Sequence, residues 1–288
     1  MIDNHRVVAW TPYGRERTVS ILAKYMERDV LRGIVDEYRL YMNTDAGQDR
    51  DRAYAHELAE QHDWVTLQHR PDGIDLGNLP KQRYTGLAYR EMTDPNTVYV
   101  RLDDDVVYLH DAAIRNLVRA RLEMPAPTAV FPIIINNAIC SYFLQACEKI
   151  PREWGQVGMY CMDPVGWANG AFAVKLHELL LAHIEAGTVE DLYLYQDFPL
   201  QPGTQFSVSC FASLGSMYAG LPGGPGVLIP DEEESFHTIH HPLATGVPNI
   251  LRGDAVVSHW TFMTQHAFLN QTDLLDRYRE LADKAVTV

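Results

Sequence analysis

Along the first third of the chain, short apolar runs alternate with stretches whose apolar residues recur every three or four positions. RVVAW (Arg6–Trp10) predicts a strand, and TPYGRE after it a turn punctuated by Pro and Gly. TVSILAKYMERDVLRG follows with Val19, Leu22, Met26 and Val30 at helical spacing, and Gly33 as the stop. The pattern then repeats. VDEYRLYMNTD predicts a second strand, DRAYAHELAEQH a helix, WVTLQHR a third strand and NLPKQRYTGLAYREMTD a third helix running from near Asn78 and Pro80 to Asp94. TVYVRLDDD predicts the fourth strand, and DAAIRNLVRARLEM the helix after it.

Four strand–helix units in succession predict an α/β fold with a mostly parallel sheet and helices on both faces. In such sheets the ligand lies beyond the carboxyl ends of the strands. Those ends read TPYGR, MNTD, HRPDG and DDD, all polar. Past Pro125 the alternation loosens. AVFPIIINN is an apolar run, GWANGAFAVKLHELLLAHIEAG a loop and then a helix ended by Gly187, and TQFSVSCFASLG a strand. GLPGGPG is a connection, and DEEESFHTIHHP a helical start broken at Pro242. DAVVSHWTFMTQ is a last strand, and NQTDLLDRYRELADKA a final helix capped by Thr272 or Asp273. The expectation is one domain over 1–288, with a nucleotide-binding-like first half and an elaborated second half.

Composition narrows the class without naming a function. The chain has 288 residues, 47% hydrophobic and 22% charged, enough for a substantial core. A formal net charge of −14 disfavours a protein that grips nucleic acid through its phosphates. Cys140, Cys147, Cys161 and Cys210 show no CxxC spacing and read as buried thiols. There is no charged leader followed by a long apolar run, nor an apolar stretch near the ~20 residues a bilayer requires, so the expected location is cytoplasmic.

The chemistry concentrates in VYVRLDDDVVYLH (Val98–His110). Three adjacent carboxylates repel one another and resist desolvation. On a strand Asp103 and Asp105 share a face and Asp104 points away. Such a pair at a strand end is a hard-oxygen set suited to Mg²⁺ or Mn²⁺, with positions left for water and a diphosphate. The other reading is a solvated acidic turn. The apolar flanks (Val98, Val100, Leu102; Val106, Val107, Leu109) favour a semi-buried site, with Asp104 hydrogen-bonding the next element. HTIHHP places His237 and His241 at i and i+4, a spacing zinc uses, though without a third ligand nearby.

An α/β half that ends in a strand plus Asp-x-Asp resembles the GT-A-fold glycosyltransferases. The resemblance implies a Rossmann-like sheet whose half 1–110 binds the nucleotide sugar. It also implies an acceptor-side half 111–288 with a C-terminal metal-ligand segment. By that resemblance Thr11, Pro12, Tyr13 and Arg15 contact base, ribose or phosphate. Asn43 and Asp45 read the base or ribose, and Arg83, chosen over Lys81 and Arg90, reaches the nucleotide. Asp103 and Asp105 bind a divalent cation that bridges the donor diphosphate, with Asp104 beside them. VVSHWTFMTQ is similar to the family's C-terminal histidine segment, which makes His259 the third metal ligand. WANGAFAVKLHELL (Trp167–Leu180) resembles the sugar and acceptor pocket, with Trp167 stacking on a sugar and Asn169 and Gly170 allowing close approach. The catalytic base is drawn from Asp231, Glu232 and Glu233, with Asp197 as the rival; acids at a helix start are also favoured by the dipole alone.

The implied protein is a metal-dependent hexosyl- or pentosyltransferase that uses Mn²⁺ or Mg²⁺ and a nucleotide-diphosphate sugar, a UDP-sugar first. Its acceptor is a hydroxyl on a protein, a glycan or another compound. Two rival classes stand beside it. One is a metal-dependent nucleotidyltransferase; the other is a sugar- or nucleotide-binding relative without turnover.

Overall fold

The computed structural model describes residues 1–45, 47–69, 84–124, 127–221 and 233–286. The expected alternation is present up to the third strand; of the third expected helix, the part up to residue 83 lies outside the described residues and the rest holds a 3-10 helix at Gly86–Glu91. Strands β1 (Arg6–Tyr13), β2 (Glu37–Met42), β3 (Val65–Gln68) and β4 (Thr97–Leu102) are joined in part by helices α1 (Glu16–Leu31) and α2 (Asp49–Gln61). β1 lies parallel to both β2 and β4, and β2 parallel to β3. Helix α1 buries Val19, Leu22 and Met26 of the predicted stripe together with Ile21, and leaves Val30, its fourth member, half-buried. Gly33 follows it in the left-handed region at φ 66°, where a glycine stop carries no Cβ penalty.

The second half adds β5 (Val106–Leu109), α3 (Ala113–Glu123), β6 (Val130–Ile135), α4 (Ala138–Ala146) and α5 (Gly170–Ala186). It continues with β7 (Phe198–Leu200), β8 (Cys210–Leu214), a helical run over 233–245, β9 (Asn249–His259) and α6 (Leu274–Ala285). Among the described residues, nine strands form one sheet in the order β3-β2-β1-β4-β8-β6-β9-β5, with β7 added on β9. The sheet is mixed. β6 and β9 are parallel, whereas β8 runs antiparallel to β4 and β6, and β5 and β7 run antiparallel to β9. Every residue of β4 and β6 is buried, as strands covered on both faces require. Helix α1 packs on β5 and α6, and α3 on β6, β8 and β9.

Several local expectations change. The fourth strand stops at Leu102, and Asp103–Asp105 form a turn in which the Val106 amide donates to the Asp103 carbonyl at 3.2 Å. Strand β1 runs on to Tyr13, because its edge is paired with β2 as far as Met42. β9 starts at Asn249, earlier than expected. The helical run does not break at Pro242. A π-helical turn at Phe236–His240 precedes it, and Pro242 falls in the first turn of His241–Thr245, where its missing N–H costs nothing. Asp273 takes the N-cap position of α6, but its side chain makes no capping hydrogen bond. All four cysteines are free and buried. Among the described residues no helix is long and apolar enough to cross a membrane.

Candidate functional site

A pocket of about 460 Å³ opens at the carboxyl edge of the parallel strands. Pro12 comes from the end of β1 and Gly14 and Arg15 from the loop after it, Asn43, Asp45 and Gln48 from the loop after β2, and Asp103 and Asp104 from that after β4. Thr85, Arg101, Val208, Glu233 and Glu234 complete the lining. Four of the six residues expected to meet the nucleotide from the first two loops therefore face one cavity. The other two do not line it. Thr11 is fully buried and accepts from the Tyr38 hydroxyl at 3.0 Å, and the Tyr13 hydroxyl donates to the Asp51 carbonyl. Arg83, Asp231 and Glu232 lie outside the described residues.

Asp103 and Asp105 are gathered with His259, though not by strand alternation. The chain turns after β4 and re-enters the sheet as β5, which pairs Val106 with His259 of β9. The Trp260 amide donates to the Asp105 carbonyl at 2.8 Å and pins that register. Ligand atoms of Asp103, Asp105 and His259 come within 4.8 Å of one another. Asp105 and His259 are only 3% and 4% exposed. His259 Nε2 stands 3.3 Å from Asp105 Oδ1, yet that oxygen and His259 Nδ1 have no hydrogen-bond partner. Phe262 packs its ring on the imidazole at 4.6 Å between centroids.

Arginines oppose the acids. Arg15, at the N-cap of α1, pairs with Asp104 and lies 3.1 Å from Asp105 Oδ2. Arg101 lies 2.7 Å from Asp103 Oδ1 and donates to both Glu233 oxygens, at 3.0 and 3.1 Å. The Tyr89 hydroxyl donates to Glu233 as well. Burial pushes the Asp104 carboxyl up to about 6, with Arg15 opposing it and the neighbouring acids adding to it. Burial acts on Asp105 in the same sense, but His259 and Arg15 outweigh it and hold the carboxyl well below the usual range. His259 is shifted upward, because Asp105 outweighs the burial that would lower it.

The remaining expected residues are placed as follows. Glu233 is buried in the pocket wall on Arg101. Asp197 is elsewhere, bound to Arg252 at 3.0 Å and to the Gly253 amide at 2.8 Å, about 20 Å along β9 from His259 at strand rise. Trp167 lies against Phe262 with ring centroids 6.1 Å apart and tilted by 43°, so a chain of rings links it to His259. Asn169 caps α5 by accepting from the Phe172 amide at 3.1 Å. At Gly170 a Cβ would meet the Phe268 ring at 2.5 Å, so the glycine serves packing. His237 is turned into the core, between the Tyr218 hydroxyl and the Glu233 carbonyl, and the zinc spacing places no ligand there.

Arg101 was not anticipated, although a signal existed. It stands two residues before Asp103 in a strand of Tyr, Val and Leu, hence on the same face. Gln48, Thr85 and Glu234 carried no such signal.

No protein-family model matches the chain, and no curated protein matches it. Among solved structures it is similar to a mannosyltransferase from Pyrobaculum calidifontis in complex with GDP-Man and Mn²⁺. The TM-score is 0.51 at 14% identity, covering 99% of this chain and 73% of that one. A CMP:2-keto-3-deoxy-manno-octonic acid synthetase complexed with CTP gives 0.47 at 10% identity, covering 97% and 99%. A 4-diphosphocytidyl-2C-methyl-D-erythritol synthase from Anaerococcus prevotii gives 0.32 at 14% identity, and the match spans 45% of this chain and 56% of that one. At such identities the likeness to the mannosyltransferase establishes a shared α/β, Rossmann-like fold and leaves the reaction to be argued from the site.

Proposed function

We propose that this chain is a divalent-cation-dependent glycosyltransferase of GT-A-like organisation. It moves a hexosyl or pentosyl group from a nucleotide-diphosphate sugar to an acceptor hydroxyl. The observation that carries the reading is the Asp103–Asp105–His259 cluster, whose Asp103 lines the polar pocket on the carboxyl edge of the sheet. Asp105 Oδ1 is buried and makes no hydrogen bond of its own; its neighbour is the His259 ring nitrogen at 3.3 Å, which leaves the oxygen open to a further positive partner. Two carboxylates and an imidazole around it fit a hard divalent cation, Mn²⁺ or Mg²⁺. Bound there, the cation would supply Lewis-acid neutralisation of the departing diphosphate.

The chain's own residues divide the rest of the work. In the half 1–110, Pro12, Arg15, Asn43 and Asp45 line the donor pocket, and Thr11 and Tyr13 tie β1 to Tyr38 and Asp51 beside them. In the half 111–288, Trp167 offers a ring for the acceptor or transferred sugar. The acceptor oxygen bonds to the anomeric carbon as that carbon's bond to the diphosphate oxygen breaks, and the hydroxyl proton passes to a carboxylate. The base is assigned to the acids 231–233. Glu233 could serve only by giving up Arg101 and Tyr89, so Asp231 and Glu232 are the first to test. A nucleotidyltransferase reading draws support from the exposed Arg15 guanidinium lining the pocket, since a mobile positive charge suits a triphosphate.

The test is a thermal-shift screen of UDP, GDP, TDP and CDP with and without Mn²⁺, on the native chain and on Asp105→Asn. A ligand that binds the folded state alone raises the melting temperature. The expected result is a Mn²⁺-dependent rise with one nucleotide, lost in the variant. Incubation with the matching nucleotide sugar then releases nucleoside diphosphate; pyrophosphate from a triphosphate would favour the rival, and binding without turnover a non-catalytic relative. No shift with any nucleotide, and a variant as stable as the native chain, would leave the acids as a structural turn.

A further inference from the structure

We infer that Arg15 competes with a divalent cation for Asp105, so that one guanidinium couples cation binding to diphosphate binding. The competition rests on the cation site proposed above, and the diphosphate arm on the glycosyltransferase reading as well.

Two arginines face the acids, and they are held differently. The Arg101 side chain is 6% exposed. Its Nε and Nη2 are spent on Glu233, and Nη1 on the Val208 carbonyl and Asp103. Moving it would strand a buried glutamate, so it stays beside Asp103. The Arg15 side chain is 45% exposed and springs from the short loop between β1 and α1, where its ion pairs are with Asp104 and Asp105. Its Nη2 lies 3.1 Å from Asp105 Oδ2, while the unpartnered Oδ1 of the same carboxylate faces His259. A cation taking Asp105 would set two like charges on one buried carboxylate. The exposed guanidinium is the partner able to leave. Asp104 lies outside the cation cluster and lines the pocket with Arg15, so the displaced guanidinium remains there. Its planar fork matches a phosphate. Each ligand then favours the other, and the coupling must be reciprocal.

The experiment measures Mn²⁺ binding to the full chain by the electron paramagnetic resonance signal of free Mn²⁺. Native protein, Arg15→Gln, Arg15→Lys and Asp105→Asn are compared, with and without UDP, and melting temperatures confirm folding. Without nucleotide, Arg15→Gln is expected to bind Mn²⁺ on the order of three- to tenfold more tightly than the native chain. Arg15→Lys, which keeps the charge, should fall nearer the native value. Saturating UDP should tighten Mn²⁺ binding by a larger factor in the native chain than in Arg15→Gln. If Arg15→Gln binds Mn²⁺ no more tightly than the native chain, while Asp105→Asn abolishes binding, the competition is wrong and the cation site stands. If neither the native chain nor Arg15→Gln binds Mn²⁺, the cation reading falls and this inference with it.

Discussion

Arg101 is surrounded by protein, and each of its nitrogens has an acceptor: Glu233 twice, the Val208 carbonyl and Asp103. A buried pair of this kind adds little net stability when intact. Removing one partner is expensive, because the other is left charged and unpaired. Glu233→Gln is therefore expected to cost about 3–5 kcal/mol in a urea titration. Glu190→Gln, which removes a 58%-exposed partner of His110, should stay within about 1 kcal/mol. If Glu233→Gln lost rate while its stability was unchanged, Glu233 would be acting on the proton and not on Arg101. Arg15 shows the opposite arrangement. Its exposure makes the pair with Asp104 and Asp105 exchangeable, and exchange is what a site that admits a charged ligand requires.

Elements, not single residues, bring the acids to His259. Asp103–Asp105 link β4, which pairs with β8, to β5, which pairs with β9, and the β5–β9 register sets Val106 opposite His259. The β4–β8 pair is in turn clamped at its far end by Gly215. A Cβ there would stand 2.1 Å from the Asp94 carbonyl oxygen, and backbone cannot give way as a side-chain tip can. Gly215→Ala is expected to cost at least about 3 kcal/mol or to prevent folding. Gly220→Ala makes the comparison: its φ is 84° but nothing lies within 4 Å, so only about 1 kcal/mol of backbone strain is expected. Equal melting temperatures for the two variants would mean that the contact at Asp94 is not tight. Apolar spacing was enough to read α1 and its Gly33 stop. It was not enough for α4, which is buried nearly all round and has no polar face to give a period. Nor did it reveal β7, three residues with a proline in the middle.

For the whole molecule, two imidazoles closed in the core tie stability to pH. Burial lowers His237 to about 3 and His177 to about 4. An unfolded chain binds these protons near pH 6.5, so it holds more protons than the fold between that pH and the lowered values. Stability is then present above about 6.5 and is lost as pH falls, by about 1.4 kcal/mol per pH unit for each imidazole. Asp104 works the other way between its usual range and about 6, which makes the native slope shallower. The comparison with His237→Gln isolates one histidine: its urea-derived stability should lose about 1.4 kcal/mol less per pH unit than the native chain between pH 6 and 4. Parallel pH profiles would show that His237 charges freely in the fold.

The sequence by itself determined the parallel α/β half, the polar carboxyl edge and the paired acids at the end of the fourth strand. Each of these follows from residues near one another along the chain, through period, turn chemistry and charge density. The resemblance of VVSHWTFMTQ already pointed to His259; only the tertiary structure decided that the acids form a turn, the register that sets His259 3.3 Å from Asp105, and that Arg15 and Arg101 divide the three carboxylates between them. Those pairings join residues far apart in sequence. They depend on strand register and on which side chains share a buried, low-dielectric space, and neither leaves a local trace in the order of residues.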